Sequence, residues 1–266
     1  MSFAAVEADK PRDLEISDLS VQFGGVQAVD DFSLTVRGGD VLGLIGPNGA
    51  GKTTLFDAIS GFVRPRAGRI RVGGHSVVGE PPWRIALAGV ARSFQEVRLV
   101  PQLSAIDNIL LSFSDNPGEQ LHNAIFRRKF TFACDERYRK LAYQLLEKGG
   151  LSGRAERSAG ELSYGQKKML SVLCCMTPGR EVILLDEPVA GLAPPLIEKV
   201  SFLIEALRTS KRTVVIVEHS FSFISAACNR VVLMDRGRKI AEGTPTTIRP
   251  DRRLIAPWLG HRRGDA

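Results

Sequence analysis

Residues 46–53, Gly-Pro-Asn-Gly-Ala-Gly-Lys-Thr, carry the clearest chemical signal, because they match the phosphate-loop pattern G-x-x-x-x-G-K-[ST] at every fixed position. The glycines let successive backbone N–H groups point at an anion, and the N-terminus of the helix predicted over 54–60 adds a partial positive charge. Lys52 can reach the β- and γ-phosphates of a nucleotide, and the Thr53 hydroxyl can ligate Mg²⁺. The segment therefore predicts binding of a nucleoside triphosphate with Mg²⁺.

A second phosphate-handling element follows the apolar strand predicted over 182–185. The strand ends in Asp186 and Glu187, and carboxylates at the carboxyl ends of parallel strands lie where ligands bind in such folds. Asp186 can hold Mg²⁺, directly or through water, as the acidic partner of Thr53. Glu187 has no metal to hold, so it is the candidate to polarise the attacking water. Alone, this pair could be a solvated turn; beside a phosphate loop, the catalytic interpretation is favoured.

The segment 162–166, Leu-Ser-Tyr-Gly-Gln, has the residue types of a capped helix N-terminus. Ser163 has N-cap chemistry, and Gln166 follows at capping-box spacing ahead of a helical run over 167–176. Ser163 and Gly165 would then present free N–H groups, which makes a second anion site. An ordinary capped helix is the alternative, and the position of the segment ahead of Asp186 favours the anion site.

Three single residues complete the candidate site. Gln95 has a side chain that can ligate Mg²⁺ or orient water. His219 follows the strand predicted over 213–217 and could contact the γ-phosphate or brace Glu187. Phe23 could stack on a nucleobase, since every base offers a π-face, although an aromatic residue there is more often part of a core.

The elements that position these residues alternate between strands and helices. Helical patterns cover 54–60, 167–176 and 194–207, and another helix follows the strand over 213–217. Apolar strands that alternate with helices indicate a largely parallel sheet that is buried on both faces. A mostly helical stretch over 83–160 interrupts this pattern and is interpreted as an inserted subdomain. Predicted strands cover 14–16, 19–23, 32–36, 41–45, 68–72, 182–185, 213–217 and 231–234.

The composition is that of an ordinary globular protein: 266 residues, 44% hydrophobic and 24% charged, with a net charge of +7. No apolar run approaches the about 18 residues of a membrane span, and the N-terminus lacks the apolar region of a secretory signal. The four cysteines form no C-x-x-C pair, which favours a reducing compartment. Basic clusters could favour nucleic acid or lipid headgroups, but solvated helix faces are the preferred interpretation.

The candidate site residues, in their order along the chain, resemble those of the ATP-binding subunit of ABC transporters. The resemblance covers about residues 14–260. A finer resemblance is to the branched-chain amino-acid importer ATPases, and urea and short-amide importers of that group are very similar. It rests on the segments 23–29 (Phe-Gly-Gly-Val-Gln-Ala-Val), 89–99 and 190–192 (Ala-Gly-Leu) and on Tyr164 within 162–166.

The resemblance implies an α/β fold, a P-loop NTPase nucleotide-binding domain of the ABC type. An antiparallel β subdomain would lie at the N-terminus and a helical subdomain would be inserted. The whole chain, 1–266, would be one ABC ATPase domain, with a catalytic core over about 14–92 and 178–260 and a helical subdomain over about 96–177.

The resemblance also implies a role for each candidate residue. Phe23 would stack on adenine, and Gln95 would sense the nucleotide for the permease. Ser163 and Gly165 would contact the γ-phosphate of ATP held by an opposite subunit, while Glu187 and His219 would be catalytic together with Gln95. Mg²⁺ would be held by Thr53, Gln95 and Asp186. The phosphates would be bound by Gly46, Pro47, Asn48, Gly49, Ala50, Gly51, Lys52, Thr53 and Thr54.

The implied cofactors are ATP and Mg²⁺, and the implied partners are two transmembrane permeases and a second ABC ATPase in a head-to-tail dimer. A solute-binding protein would be an indirect partner, nucleic acid would not be one, and the chain would lie peripherally at the cytoplasmic face of the cell membrane. Residues 96–110 would form part of the groove for a permease helix. The alternatives are an exporter or lipid-transport ATPase and, less favoured, a non-transport ABC protein that acts on ribosomes or DNA.

Three positions depart from the family pattern. Ala193 stands where Asn or Asp is usual, which puts communication between the two ATP sites in question. The helical run over 167–176 lacks the usual arginines and alanines, and Phe23 replaces a tyrosine. None of these removes a group that hydrolysis requires.

Overall fold

The computed structural model describes residues 12–113 and 128–248, which form two sheets with helices around them. The strands are β1 (Leu14–Phe23), β2 (Val26–Val36), β3 (Val41–Ile45), β4 (Ala67–Val72), β5 (His75–Ser76), β6 (Val90–Arg92), β7 (Val182–Asp186), β8 (Thr213–Val217), β9 (Arg230–Asp235) and β10 (Arg238–Gly243). The α-helices are α1 (Lys52–Ile59), α2 (Pro82–Leu87), α3 (Ala105–Leu110), α4 (Arg128–Lys148), α5 (Tyr164–Cys175), α6 (Pro194–Thr209), α7 (Phe221–Ala227) and α8 (Pro245–Ile248). Short 3₁₀ turns cover Ser152–Arg154 and Ala159–Glu161.

The N-terminal sheet is antiparallel, in the order β2-β1-β4-β5. The predicted strands 14–16 and 19–23 are one strand, β1, because the chain passes Asp18 in a left-handed conformation (φ 51°) and resumes pairing beyond this irregularity. The strand predicted over 32–36 begins earlier, at Val26. The turn between β1 and β2 lies at Gly24 and Gly25.

The central sheet has the order β10-β9-β3-β8-β7-β6. Four of its pairings are parallel, and only that of β10 with β9 is antiparallel. Every residue of β3, β7 and β8 is buried, as the largely apolar sequences of these strands predict. The sequence interpretation missed β6 and β10, so the sheet has an additional strand at each edge.

Two apolar cores cover the faces of this sheet, because successive side chains of a strand point to opposite sides. Leu42 and Leu184 belong to the core that β1, β2, β4 and α1 close. Ile183 and Leu185 belong to the core on the other face, which includes residues of α3, α4 and α5 such as Leu146 and Leu173. The helices between 96 and 177 therefore share a continuous core with the sheet, and their treatment as a subdomain remains a prediction.

Among the helices in the described ranges, none is both long and apolar enough to cross a membrane. The cysteine pair of α5 lies as predicted for a helix, with Cys175 buried and Cys174 half-buried. Burial raises the pKa of the Cys175 thiol to about 12, so this side chain behaves as a small apolar group.

Candidate nucleotide site

Four neighbouring parallel strands, β3, β8, β7 and β6, end at the same edge of the central sheet. The predicted site residues lie within three residues of these ends: Gly46 after β3, His219 after β8, Glu187 after β7 and Gln95 after β6. The carboxyl edge of a parallel sheet is where ligands bind in open α/β folds. The order of the strands therefore gathers residues that lie more than 170 positions apart in the sequence.

The phosphate loop holds a conformation that only glycine permits at two positions. Gly46 has φ 155°, and a Cβ there would lie 2.0 Å from the carbonyl oxygen of Met234. Gly51 has φ 100°, and a Cβ there would lie 2.2 Å from the carbonyl oxygen of Ala28. The loop leads directly into α1, so its backbone curls around a helix N-terminus.

Lys52 is buried and lies across the loop. Its ammonium donates to the carbonyl oxygens of Gly46 at 2.8 Å and Pro47 at 2.9 Å. Burial lowers the pKa of Lys52, and the carboxylates of Glu187 and Asp186 oppose that shift. The rest of the segment lies toward solvent to different degrees: Asn48, Gly49 and Thr53 are exposed, Thr54 is half-buried and Ala50 is buried.

Asp186, the last residue of β7, is buried, and its backbone N–H donates to the Ser93 hydroxyl at 3.0 Å. Among the described residues, its Oδ2 atom has no hydrogen-bond donor, and the nearest cation is the Nη2 atom of Arg92 at 3.7 Å. Burial raises the pKa of Asp186, while Arg92 lowers it. A buried carboxylate oxygen that lacks a donor fits a divalent cation, and oxygen ligands are those that Mg²⁺ prefers.

Glu187 occupies a left-handed conformation, φ 48°, which is uncommon for a non-glycine residue. Its N–H donates to the carbonyl oxygen of Val217 at 2.8 Å, which ties the turn after β7 to β8. The Nε2 atom of His219 lies 3.1 Å from its Oε1 atom, and the Nε2 atom of Gln95 donates to the same oxygen at 3.4 Å. Backbone strain of this kind concentrates at functional sites, and here it aims the carboxylate at two side chains from neighbouring loops.

Arg92 contacts the candidate site, and the sequence interpretation gave it no role. Its Nη1 atom donates to Asp57 at 2.6 Å and to the Ser60 hydroxyl at 2.9 Å. Its guanidinium lies 4.9 Å from the ring centre of Phe94. The side chain therefore links α1 to Asp186. The sequence carried no signal for this link, because β6 is too short to leave a pattern.

Glu218 and Lys168 were also missed, and both are buried. Glu218 accepts from the backbone N–H groups of Val189 at 2.9 Å and His219 at 3.1 Å, and burial raises its pKa. Lys168 lies in α5 and donates to the carbonyl oxygen of Gln95 at 3.4 Å. An acid directly after β8, next to His219, was the only sequence signal for Glu218.

The segment 162–166 forms the predicted capping box. The Ser163 hydroxyl accepts from the Gln166 N–H at 3.4 Å, and the Gln166 side chain accepts from the Ser163 N–H at 3.0 Å. Ser163 is exposed, Gly165 is half-buried, and no hydrogen bond of the described residues joins either to the phosphate loop. Phe23 lies at the end of β1, beside the hairpin turn, with 50% of its surface exposed.

Comparison with known proteins gives a consistent result. The family model described as ABC transporter matches residues 29–190. The chain is 36% identical to a high-affinity branched-chain amino acid transport ATP-binding protein, BraF, of Pseudomonas aeruginosa, over 93% of this chain and 97% of that protein. It is 34% identical to the corresponding LivG protein of Escherichia coli K12, again over 93% of this chain and 97% of that one.

Solved structures agree. A nucleotide-free ATP-binding cassette from an ABC transporter superposes with a TM-score of 0.79 at 30% identity, and covers 94% of this chain and 100% of that one. A structure of an ABC transporter ATP-binding cassette in its ADP conformation gives a TM-score of 0.78 at 28% identity, over 95% of this chain and 100% of that one.

Proposed function

This chain belongs to the ABC transporter family, and we propose that it is the ATP-hydrolysing subunit of an importer for branched-chain amino acids or a related small polar solute. The observation that carries the hydrolytic part is the convergence on one carboxylate oxygen of Glu187, 3.1 Å from His219 and 3.4 Å from Gln95. The part that concerns the solute rests on the names of the relatives.

Residues 46–54 are the proposed cradle for the triphosphate. The loop supplies backbone N–H groups, and Lys52 supplies a cation that already lies within hydrogen-bonding distance of the loop carbonyls. Thr53, Asp186 and Gln95 would hold Mg²⁺, which would neutralise charge on the phosphates when bound. Phe23, half exposed at the hairpin, would offer its ring to adenine.

Glu187 is the proposed general base. A base must lie within hydrogen-bonding reach of the proton that it takes. Glu187 follows β7 at the same sheet edge as the phosphate loop that follows β3, with only β8 between the two strands. Water placed between this carboxylate and the γ-phosphate would lose a proton to Glu187 and attack the γ-phosphorus. The bond from that phosphorus to the bridging oxygen would break, and ADP would leave with that oxygen. His219 would orient the Glu187 carboxylate, and Gln95 would couple the position of that carboxylate to the conformation of the loop over 96–104.

Ser163 and Gly165 are proposed to act on a second subunit. They are not bonded to the phosphate loop of their own chain, and the capped turn leaves the start of α5 open to solvent. Two cassettes arranged head to tail would therefore place each capped turn on the other's ATP. The γ-phosphate would favour the closed dimer, and hydrolysis would release it, which makes a ligand-biased two-state switch.

The relatives named above are ATP-binding proteins of branched-chain amino acid transport, and they support an importer over an exporter or lipid-transport ATPase. Two transmembrane permeases, a solute-binding protein and a second cassette, identical or homologous, are the proposed partners. We favour a second, different cassette. The proposed location is peripheral, at the cytoplasmic face of the cell membrane.

Purification of the tagged Glu187→Gln chain from gently solubilised native membranes tests this assignment. Mass spectrometry of the copurified proteins is expected to find two polytopic permeases and a second cassette. Recovery of ribosomes, or of no membrane protein, would overturn the transport role and leave the nucleotide chemistry in place. A tagged Lys52→Ala chain is the matched control, since it would not hold the ATP that closes the dimer.

A further inference from the structure

Only two lysines are buried within residues 12–113 and 128–248 where side chains are described, Lys52 and Lys168. Lys52 belongs to the phosphate loop. Lys168 belongs to α5, the helix that Ser163 caps, and only 3% of its surface is exposed. A buried ammonium is costly unless it is paired, so the position of Lys168 requires a reason.

The surroundings of Lys168 supply that reason. Its Nζ atom donates to the carbonyl oxygen of Gln95 at 3.4 Å. Burial lowers the pKa of Lys168, and the carboxylates of Glu187, Glu218 and Asp186 oppose that shift. Glu187 and Asp186 are the two carboxylates that also oppose the shift at Lys52. The contact of Nζ with the Gln95 carbonyl oxygen therefore joins the capped helix to the loop that follows β6.

We propose that Lys168 is a positioning residue that ties the capped turn of α5, with Ser163 and Gly165, to the Gln95 loop of its own nucleotide site. The side chain spans from the second turn of α5 to a loop 73 positions earlier in the sequence. Through this tie, the state of the nucleotide at one site would set the orientation of the turn that meets the other site. The inference rests on the proposed nucleotide site and gives a route by which the two sites communicate.

This role differs from simple packing. An apolar side chain of the same length would fill the same space in the core, but it could not attract three carboxylates or bond to a carbonyl oxygen. Lys167, the preceding residue, is half-buried and lies on the same helix, so it provides a matched control.

Hydrogen exchange of the full chain, kept dilute enough to remain a monomer, tests the tie. In the natural chain, saturating ATP is expected to slow amide exchange about tenfold or more both at residues 46–53 and at residues 163–167. Lys168→Met is expected to keep the slowing at 46–53 and to lose it at 163–167. Lys168→Arg, which keeps the charge, is expected to retain both, and Lys167→Met is expected to behave as the natural chain.

The outcomes separate the inference from the proposed function. If ATP slows amide exchange at 163–167 equally in the natural chain and in Lys168→Met, the tie is overturned. It is also overturned if ATP slows exchange only at 46–53 in the natural chain. Absence of slowing at 46–53 in the natural chain would instead contradict the proposed nucleotide site, and with it the tie. If Lys168→Met does not fold, Lys168→Gln and Lys168→Arg give the same contrast, because only arginine keeps the charge.

Discussion

Replacement of His219 by alanine is expected to slow ATP hydrolysis while ATP binding stays intact. The imidazole Nε2 atom lies 3.1 Å from Glu187 Oε1, and its side chain is 46% exposed. A hydrogen bond to a charged group contributes about 1.5–3 kcal/mol, and partial exposure reduces this to about 1–2 kcal/mol. Since each 1.36 kcal/mol changes a rate about tenfold, kcat should fall about 5- to 30-fold.

The assay is steady-state phosphate release, with ATP binding measured separately by a fluorescent nucleotide. The dissociation constant of ATP should change less than about twofold, because the phosphate cradle is built from other residues. His75→Ala is the matched control, since His75 is exposed in the antiparallel sheet and its Nδ1 atom lies 3.1 Å from the Gly73 carbonyl oxygen. His219→Gln should recover part of the rate, because its amide can donate to Glu187.

Two results would refute this reasoning. An unchanged kcat in His219→Ala would show that the bond to Glu187 has no part in the rate-limiting step. A loss of ATP affinity equal to the loss of rate would place His219 among the residues that bind ATP and not among those that orient Glu187.

Three further changes test other parts of the account. Lys52→Ala should weaken ATP binding about tenfold or more, measured by titration, because the buried ammonium would be lost; unchanged affinity would contradict the cradle. Gly51→Ala should lower the melting temperature by about 4 °C or more. Gly51 has a φ of 100°, and an added Cβ would lie 2.2 Å from the Ala28 carbonyl oxygen, so alanine would strain the backbone. An unaltered melting temperature would contradict that geometry. Ala193→Asn should raise the free energy of unfolding in urea by about 1 kcal/mol. Ala193 is the N-cap residue of α6 and makes no side-chain cap hydrogen bond, whereas asparagine could make one. A decrease in stability would show that the position needs a small side chain.

The central strands could be predicted closely, because their burial leaves an unambiguous sequence signal. β8 has the predicted bounds and β7 extends one residue further. Both strands are apolar except for Thr213, which begins β8, and Asp186, which ends β7 at the site. β6 has three residues, too few for a pattern, and β10 lies at an edge with mostly exposed side chains. The bend at Asp18 also left no signal, since it depends on pairing with both neighbouring strands.

In the candidate site, too, residues in local motifs could be predicted and long-range partners could not. Contiguous motifs, such as residues 46–53 and the pair after β7, could be interpreted from local spacing alone. The partners of Lys168 and Arg92 could not, because the bonds to Gln95 and Asp57 arise from packing between elements 73 and 35 positions apart. Burial creates the need for such pairs, and one sequence does not reveal which polar residues are buried.

Single-turnover hydrolysis of radiolabelled ATP by the natural chain and by Glu187→Gln, each in its purified membrane complex, tests the central claim most directly. Removal of a general base is expected to slow phosphate release about 10²- to 10⁴-fold, while the amount of bound ATP stays the same. Phosphate release at the natural rate by Glu187→Gln, with ATP bound equally, would contradict the assignment of Glu187 as the base.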